Sequence, residues 1–430
     1  MTHRQRILAD RLLGIPAAFV FNALARILGQ LLRRDHSIST ENVGNIVVAK
    51  LIGMGSILQA TPLLKALKEQ YPHAKLTFLS LRSNRELLER LTCVDDILVL
   101  DDRNVLVMAI TILRAIAVLI SRKADLYFDL EVYSAFASLL ALCAVTRNRI
   151  GFYRKSVVFK KGIYTHLVYF NTRMPVRYLY LQLGRVAGVP AGHNAVTGPV
   201  RVDEADRESV RRLLSECPAW QSERSYVVVN PNASDLLLER RWPASHSIGA
   251  VERLVRLGNQ VVLMGAKNEL PYVQSLFGAL SPTLRLRVVN TAGRLTLGEL
   301  LALLESAGCV LTNDTGPMHM AIALQRPTVC LFGPANPEHY GQNLAQVEIF
   351  YGRVFCSPCL YEADEPPCNG NNICMQRIEP EPVVEAIQRL LKFNGSPETR
   401  GRVTCLPVIA DAPDGRPLGV MDRASVRQST

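Results

Sequence analysis

The sequence predicts an α/β protein built from two doubly wound parallel-sheet domains. Three observations carry that prediction. Short apolar runs alternate with amphipathic helical segments in both halves of the 430-residue chain. The alternation breaks once, over residues 190–225, where charged and turn residues take over. The apolar runs also end in Gly- or Asn-containing turns, and in open parallel sheets it is the carboxyl ends of strands that meet ligands. Two such domains are expected to face one another across a cleft.

The chain opens on MTHRQRILADRLLGIPAAFVFNALARILGQLLRR. Ala23-Leu24-Ala25 mimics a signal-peptide cleavage site, but Asp10 stands beside the apolar run, Pro16 interrupts it and the helical pattern continues past it. Leu13, Val20, Leu24, Ile27 and Leu31 fall on one helical face, and residues 1–34 hold six Lys/Arg. The run is shorter than the roughly 20 residues a bilayer span needs. Residues 1–44 therefore read as an amphipathic segment, resting on the inner surface of a membrane or on the protein itself.

Residues 45–200 form the first domain. NIVVAKL is a strand, TPLLKALKEQ a helix and AKLTFLS a strand. Helix NRELLERL, strand DDILVL, helix 105–120 and strand ADLYFDL follow. The stretch NVLVMAITILRAIAVLI contains Arg114 and reads as a packed helix, not a span. Residues 201–394 restart the pattern with strand SYVVVNP, helix SHSIGAVERLVRLG, strand QVVLMG, helix TLGELLALLESAG and strand CVLTND. Helix GPMHMAIALQ, strand PTVCLFG and helix EPEPVVEAIQRLLKFNG complete it, and residues 395–430 read as a flexible tail.

Composition narrows the function. There are 49 Lys+Arg against 38 Asp+Glu, a formal net charge of +11. Excess base points to anionic partners such as phosphorylated ligands or anionic lipid. No RNA- or DNA-binding signature stands out, so nucleic acid ranks last among the partners, and none is expected. Six of the ten cysteines are scattered, most of them among apolar neighbours, and the chain reads as one for a reducing compartment.

Four turns carry candidate chemistry. In LTNDTGPMHMAIALQRPTVCLFGPANPEHYG, a strand ends at Asn313-Asp314 and Thr315-Gly316 open a helix whose free N–H groups suit a phosphate, with His319 one turn on. The bland alternative is that Asp314 and Thr315 cap the helix and His319 is a buried structural residue. In VVVNPNASDLLLERRWP, a strand ends at Asn230-Pro231-Asn232, Ser234 adds a hydroxyl, and Arg240-Arg241 offer paired guanidiniums to a diphosphate. In VVLMGAKNEL, Glu269 is placed to take ribose hydroxyls or simply to start a helix. In LIGMGSILQA, Gly53 and Gly55 make a tight turn before a helix, yet no side chain of Gly53–Ser56 carries a charge.

The blocks DTGPMHMAIALQRPTVCLFGP, RRWP and KLIGMGSILQATPLLKAL, in this spacing, resemble the family 9 glycosyltransferases, the lipopolysaccharide heptosyltransferases and their relatives. The similarity runs over most of residues 45–392. It implies the GT-B architecture, with acceptor at the first domain and nucleotide sugar at the second. It implies an inverting transfer from an ADP-heptose-like donor to a glycan or glycolipid without a catalytic metal, at the cytoplasmic face of the inner membrane. By resemblance, Asp314, Thr315, Gly316 and His319 contact the donor, Arg240 stands where the family has a phosphate-binding Lys, and Glu269 lies near its ribose-binding acid.

One position departs from the family. Its presumed base is an Asp after the Met-Gly turn, and here that residue is Ser56, which cannot act as a base near pH 7 without a partner. Asp129 and Glu131 in YFDLEVYSAF are the candidate replacements, sharing one face if the strand runs to Glu131, and Glu131 stands where the family carries a neutral amide. The basic, aromatic segment RIGFYRKSVVFKKGIYTH offers a place for the acceptor. Two other readings stay open: a nucleotide-sugar epimerase of related fold, and a degenerate paralogue that binds nucleotide sugar without turnover.

Cys356, Cys359, Cys368 and Cys374 follow C-x2-C-x8-C-x5-C spacing. Four thiolates in one loop suit a structural zinc, with two local disulfides as the rival.

Overall fold

The computed structural model describes residues 10–32, 35–38, 43–233, 237–363, 365–392 and 401–406. The chain divides into two units, Met1–Arg201 and Val202–Thr430. Among the described residues the strands pair in parallel throughout.

In the first unit the strands are β1 (Asn45–Ala49), β2 (Lys75–Leu81), β3 (Asp96–Leu100), β4 (Leu126–Asp129), β5 (Asn148–Tyr153) and β6 (His166–Tyr169), ordered β3-β2-β1-β4-β5-β6. The order reverses between β1 and β4, where Ala49 lies opposite Asp129. Its principal helices are α1 (Ile15–Leu32), α2 (Met54–Gln70), α3 (Val105–Ser121), α4 (Ala135–Cys143) and α5 (Val176–Val186). Strand side chains alternate between the two faces of a sheet. Val47, Ala49, Leu79, Leu81 and Tyr127 share a core with Ala18 of α1, Ala115 and Leu119 of α3, and Leu140 of α4, so these three helices cover one side of the sheet.

The second unit holds β7 (Tyr226–Asn230), β8 (Gln260–Leu263), β9 (Val288–Asn290), β10 (Cys309–Asn313), β11 (Thr328–Phe332), β12 (Val347–Tyr351) and β13 (Arg402–Cys405), ordered β13-β12-β11-β10-β7-β8-β9. Here the order reverses between β7 and β10, with Asn230 opposite Thr312. The helices are α6 (Glu204–Ser215), α7 (Ala244–Arg256), α8 (Leu270–Ala279), α9 (Leu297–Glu305), α10 (Gly316–Ala323) and α11 (Pro380–Leu391). The fully buried Trp242 anchors the start of α7 by donating from its indole N–H to the Ile378 carbonyl at 2.8 Å.

The structure corrects two sequence expectations and bears on the two readings of the N-terminal segment. The tail is not wholly irregular, because Arg402–Cys405 adds β13 to the sheet edge beside β12. The helix expected over NRELLERL shrinks to Arg85–Leu88. The N-terminal segment packs on the protein: a π-helical turn at Asp10–Gly14 precedes α1, and the Asp10 carboxylate accepts the Ala135 and Phe136 N–H groups at the start of α4 (2.9 and 2.8 Å). No helix among the described residues is long and apolar enough to cross a membrane.

Candidate active site

Ligands of doubly wound sheets sit where the strand order reverses. In both units the polar candidates gather at that point.

In the second unit, Asn230 ends β7 and donates from Nδ2 to the hydroxyls of Thr312 and Thr315 (3.1 and 3.0 Å). Asn313 ends β10. Its Nδ2 donates to the Asn232 carbonyl at 2.9 Å, and its Oδ1 accepts the Trp242 N–H at 3.3 Å. Asn232 donates to the Met264 carbonyl at 3.0 Å. These amides tie the ends of β7, β8 and β10 together. Arg240, on a 3₁₀ turn over Leu238–Arg240, donates to the Asp314 carbonyl at 2.8 Å and lies 3.6 Å from the Asp314 carboxylate. Both are buried, and burial raises the affinity of Asp314 for its proton while Arg240 opposes that rise.

Thr315 is the N-cap of α10, but its hydroxyl makes no cap bond to the helix. It faces Asn230 and the Asn313 carbonyl instead. The capping alternative therefore fails for the Thr315 hydroxyl. Gly316 opens α10, and a Cβ built on it meets nothing within 4 Å. Protein packing does not demand glycine there; the space lies open at the helix start. His319 is buried one turn further.

Other second-unit expectations fare unevenly. The two adjacent arginines do not act as a pair, because Arg241 turns away and lays its guanidinium over the Tyr272 ring, 3.9 Å from the centroid. There it lines a depression of about 730 Å³ with Trp242, His246 and Arg377, apart from Arg240 and Asp314. Glu269 accepts the Ala266 N–H at 2.7 Å, which is the helix-start role. Ser234 lies outside the described residues.

In the first unit, Gly53 has φ 97°, a left-handed conformation that favours glycine. α2 begins at Met54, and Ser56 sits in its first turn, partly exposed. Glu131 reaches back to this turn. One oxygen accepts the N–H groups of Leu51 and Ile52 (2.8 and 3.1 Å), and the other pairs with Lys50 at 2.8 Å. The side chains of Lys50 and Glu131 are only 10% and 13% exposed. Burial raises the proton affinity of Glu131, but Lys50 and the two amides outweigh it and hold the carboxyl below its usual range.

The shared strand face expected if the strand ran on to Glu131 does not form. β4 ends at Asp129, so Glu131 lies past the strand and the two acids share no face. Asp129 is fully buried and engages Lys160, the Tyr164 hydroxyl and the Glu131 N–H. Both carboxylates are built into the scaffold. Lys50 is the residue that sequence reasoning misses, and its signal is a lysine directly after an apolar strand.

The four clustered cysteines occupy the loop after β12. Ser357 donates to the Gly333 carbonyl and Cys359 to the Pro334 carbonyl (both 3.0 Å), which ties the loop to the end of β11. All four are free thiols, and no three His, Cys, Asp or Glu side chains among the described residues are grouped to hold a metal. The zinc cage read from spacing is not closed in this structure, and neither are the rival disulfides. Burial and the neighbouring thiols push Cys359 up to about 12 and raise Cys374 as well.

Two Rossmann-like parallel sheets, each with polar residues at its reversal point, define a protein of the GT-B fold class. The family model described as glycosyltransferase family 9 (heptosyltransferase) matches residues 113–368, and the chain belongs to that family. It is 32% identical over 138 residues to lipooligosaccharide heptosyltransferase 2 of Haemophilus influenzae, a match spanning 32% of this chain and 40% of that relative. Among solved structures, a family 9 glycosyltransferase from Veillonella parvula superposes with a TM-score of 0.69 at 21% identity, over 83% of this chain and 99% of the other. The Escherichia coli ADP-heptose lipopolysaccharide heptosyltransferase II gives 0.65 at 20%, over 81% and 99%. These likenesses establish the fold.

Proposed function

We propose that this protein is an inverting glycosyltransferase that moves a sugar from a nucleoside diphosphate donor to a lipopolysaccharide-type or related glycan or glycolipid acceptor. ADP-heptose is the first donor to test, because the names of the relatives carry it. The observation that carries the reading is the Arg240–Asp314 pair at the open start of α10. A diphosphate seated there takes the Gly316 end of the helix as donor of N–H groups and Arg240 as counter-charge. Asn230, Asn232, Thr315 and His319 shape the same end, and Glu269, which also holds its own helix start, is the acid assigned to the ribose. The acceptor is assigned to the Gly53–Ser56 turn of the first unit. In the transfer, the acceptor hydroxyl attacks the anomeric carbon, the carbon–oxygen bond to the diphosphate breaks with inversion, and the hydroxyl proton passes to a base.

Thermal shifts across a panel of nucleotide sugars test donor choice, since a ligand that binds only the folded state stabilises it by mass action. Arg240→Ala is expected to weaken the preferred donor roughly tenfold to a hundredfold, the scale of a lost charged hydrogen bond. Unchanged affinity in a folded variant would remove Arg240 from the diphosphate site. A binding protein without turnover is the second reading, and Ser56 at the family's acid position together with the engaged Glu131 is what favours it.

The protein is placed at the cytoplasmic face of the inner membrane, with α1 as a peripheral contact. The Cys356–Cys374 loop is assigned one structural zinc, with metal binding closing the loop as it coordinates. Cys356, Cys359 and Cys368 each raise the proton affinity of Cys374, and that proximity supports the assignment.

A further inference from the structure

α3 is a core helix on one side only. Ala115 and Leu119 are buried, whereas Leu106, Ile110, Leu113 and Ile120 are 71%, 56%, 68% and 47% exposed. At about 100° per residue these four fall, with Ala117, within an arc of roughly 80°. A surface helix ordinarily carries polar residues there. α1 repeats the arrangement. Ala18 and Asn22 face inward, and Val20, Leu24 and Ile27 stand 60%, 47% and 55% exposed. Both helices cover the same side of the first sheet. Two outward apolar rows on one side of one unit exceed the single apolar residues a surface normally scatters.

Cations flank both rows. Arg114 lies exposed at the margin of the α3 row, and Lys123 is exposed beyond its C-terminal end. Beside α1, the 3₁₀ turn Lys155–Lys160 packs Phe159 against Phe19, with ring centroids 6.3 Å apart, and leaves Lys155, Val158 and Lys161 exposed. An apolar stripe bordered by long basic side chains matches the acyl–headgroup boundary of an anionic bilayer, where the stems bury and the charges reach phosphate. With no spanning helix among the described residues, such helices would lie in the interface plane.

We propose that this side of the first unit docks on an anionic bilayer through two helix faces, α3 as well as α1. The inference deepens the membrane placement given above and is independent of the donor and the reaction.

The test uses the full chain, phosphatidylcholine vesicles with and without phosphatidylglycerol, and co-sedimentation at low and high salt. Deleting the N-terminus is a poor variant, since it removes Asp10 from the start of α4. Leu106→Ser/Ile110→Ser/Leu113→Ser alters side chains that already face water. It is expected to lower affinity for anionic vesicles by roughly tenfold or more, with unchanged melting temperature and donor binding. Val20→Ser/Leu24→Ser/Ile27→Ser should act similarly, and Arg114→Gln should weaken binding at low salt only. Wild-type-like binding of the α3 variant would overturn the two-face surface, and failure of the unaltered protein to bind anionic vesicles would overturn it entirely. A concentration-dependent dimer in sedimentation velocity that the α3 variant abolishes would overturn the bilayer as occupant in favour of a second copy. Loss of donor binding in the Arg240 experiment leaves this inference untouched.

Discussion

Glu131→Gln separates a scaffold from a base. The substitution keeps an amide oxygen that can accept the Leu51 and Ile52 N–H groups, but it removes the charge 2.8 Å from Lys50. Lys50 is then left nearly buried without its counter-ion. Removing one partner of a fully buried pair costs about 3–5 kcal/mol, and an exposed pair is worth about 0–1. With side chains 10% and 13% exposed, a loss of about 2–4 kcal/mol follows. For a unit of about 200 residues each kcal/mol moves the melting temperature by roughly 2–4 °C, so the first unit should melt roughly 4–16 °C lower. Because the folded-state carboxyl is held below its usual range, the pair stabilises fully above the ordinary Glu value of 4.5. That contribution disappears as pH falls through the lower folded-state value. Differential scanning calorimetry on wild type, Glu131→Gln and Lys50→Met/Glu131→Gln reads it directly, and the neutral double variant should recover much of the loss. An unchanged melting temperature with turnover down roughly a hundredfold to ten-thousandfold and the acid limb of the rate profile gone would refute this reasoning. It would restore Glu131 as the base.

The remaining predictions concern the second unit. Gly316→Ala should leave stability equal or raise it by up to about 1 kcal/mol, since its Cβ meets nothing and alanine favours helix. If the donor occupies that space, its dissociation constant should rise at least roughly tenfold, and isothermal titration with unchanged affinity would remove the helix start from the site. Metal analysis of protein purified without chelator should find about one zinc per chain with thiolate ligation. Binding should strengthen with pH, because the thiols must lose raised-affinity protons first. Folded protein that takes up no zinc would end that assignment.

Much of this was legible in the chain, and the reasons differ by residue. β1, β7 and β10 announce themselves as apolar runs with polar ends, and fully buried parallel strands give that pattern. Asp314, Thr315 and Gly316 could be placed at a strand end and helix start because turn chemistry is local. β13 was hidden because Arg402–Cys405 is a four-residue edge strand exposed along its whole length, too short for its polar–apolar alternation to stand out. The positions of Asp129 and Glu131 were hidden for a different reason. Both are acids near a strand end, and only tertiary contacts with Lys160, Tyr164 and Lys50 decide that each is enclosed. The split of Arg240 from Arg241 is likewise invisible in RRWP, since Arg240 ends a 3₁₀ turn and Arg241 leaves it with extended backbone, which aims the two side chains apart.

The two reversal points also differ electrically, and the difference bears on which ligand each receives. In the first unit the cation and acid close to 2.8 Å, and the acid holds its charge more firmly than an ordinary glutamate. The pair presents little net field to a ligand. In the second unit the pair stands 3.6 Å apart, Arg240 bonds a backbone carbonyl, and Asp314 gives up its proton less readily than an ordinary aspartate. A guanidinium at a helix start, beside an acid that gives up its proton less readily than usual, favours an anion there. A diphosphate brought there raises that proton affinity further, since like charges oppose ionisation. Donor binding should therefore be accompanied by net proton uptake as pH falls toward the range in which Asp314 titrates. Titrations in buffers of different ionisation enthalpy measure that uptake. It should fall to near zero in Asp314→Asn, and a donor that binds Asp314→Asn and wild type with equal proton uptake would place the titrating group elsewhere.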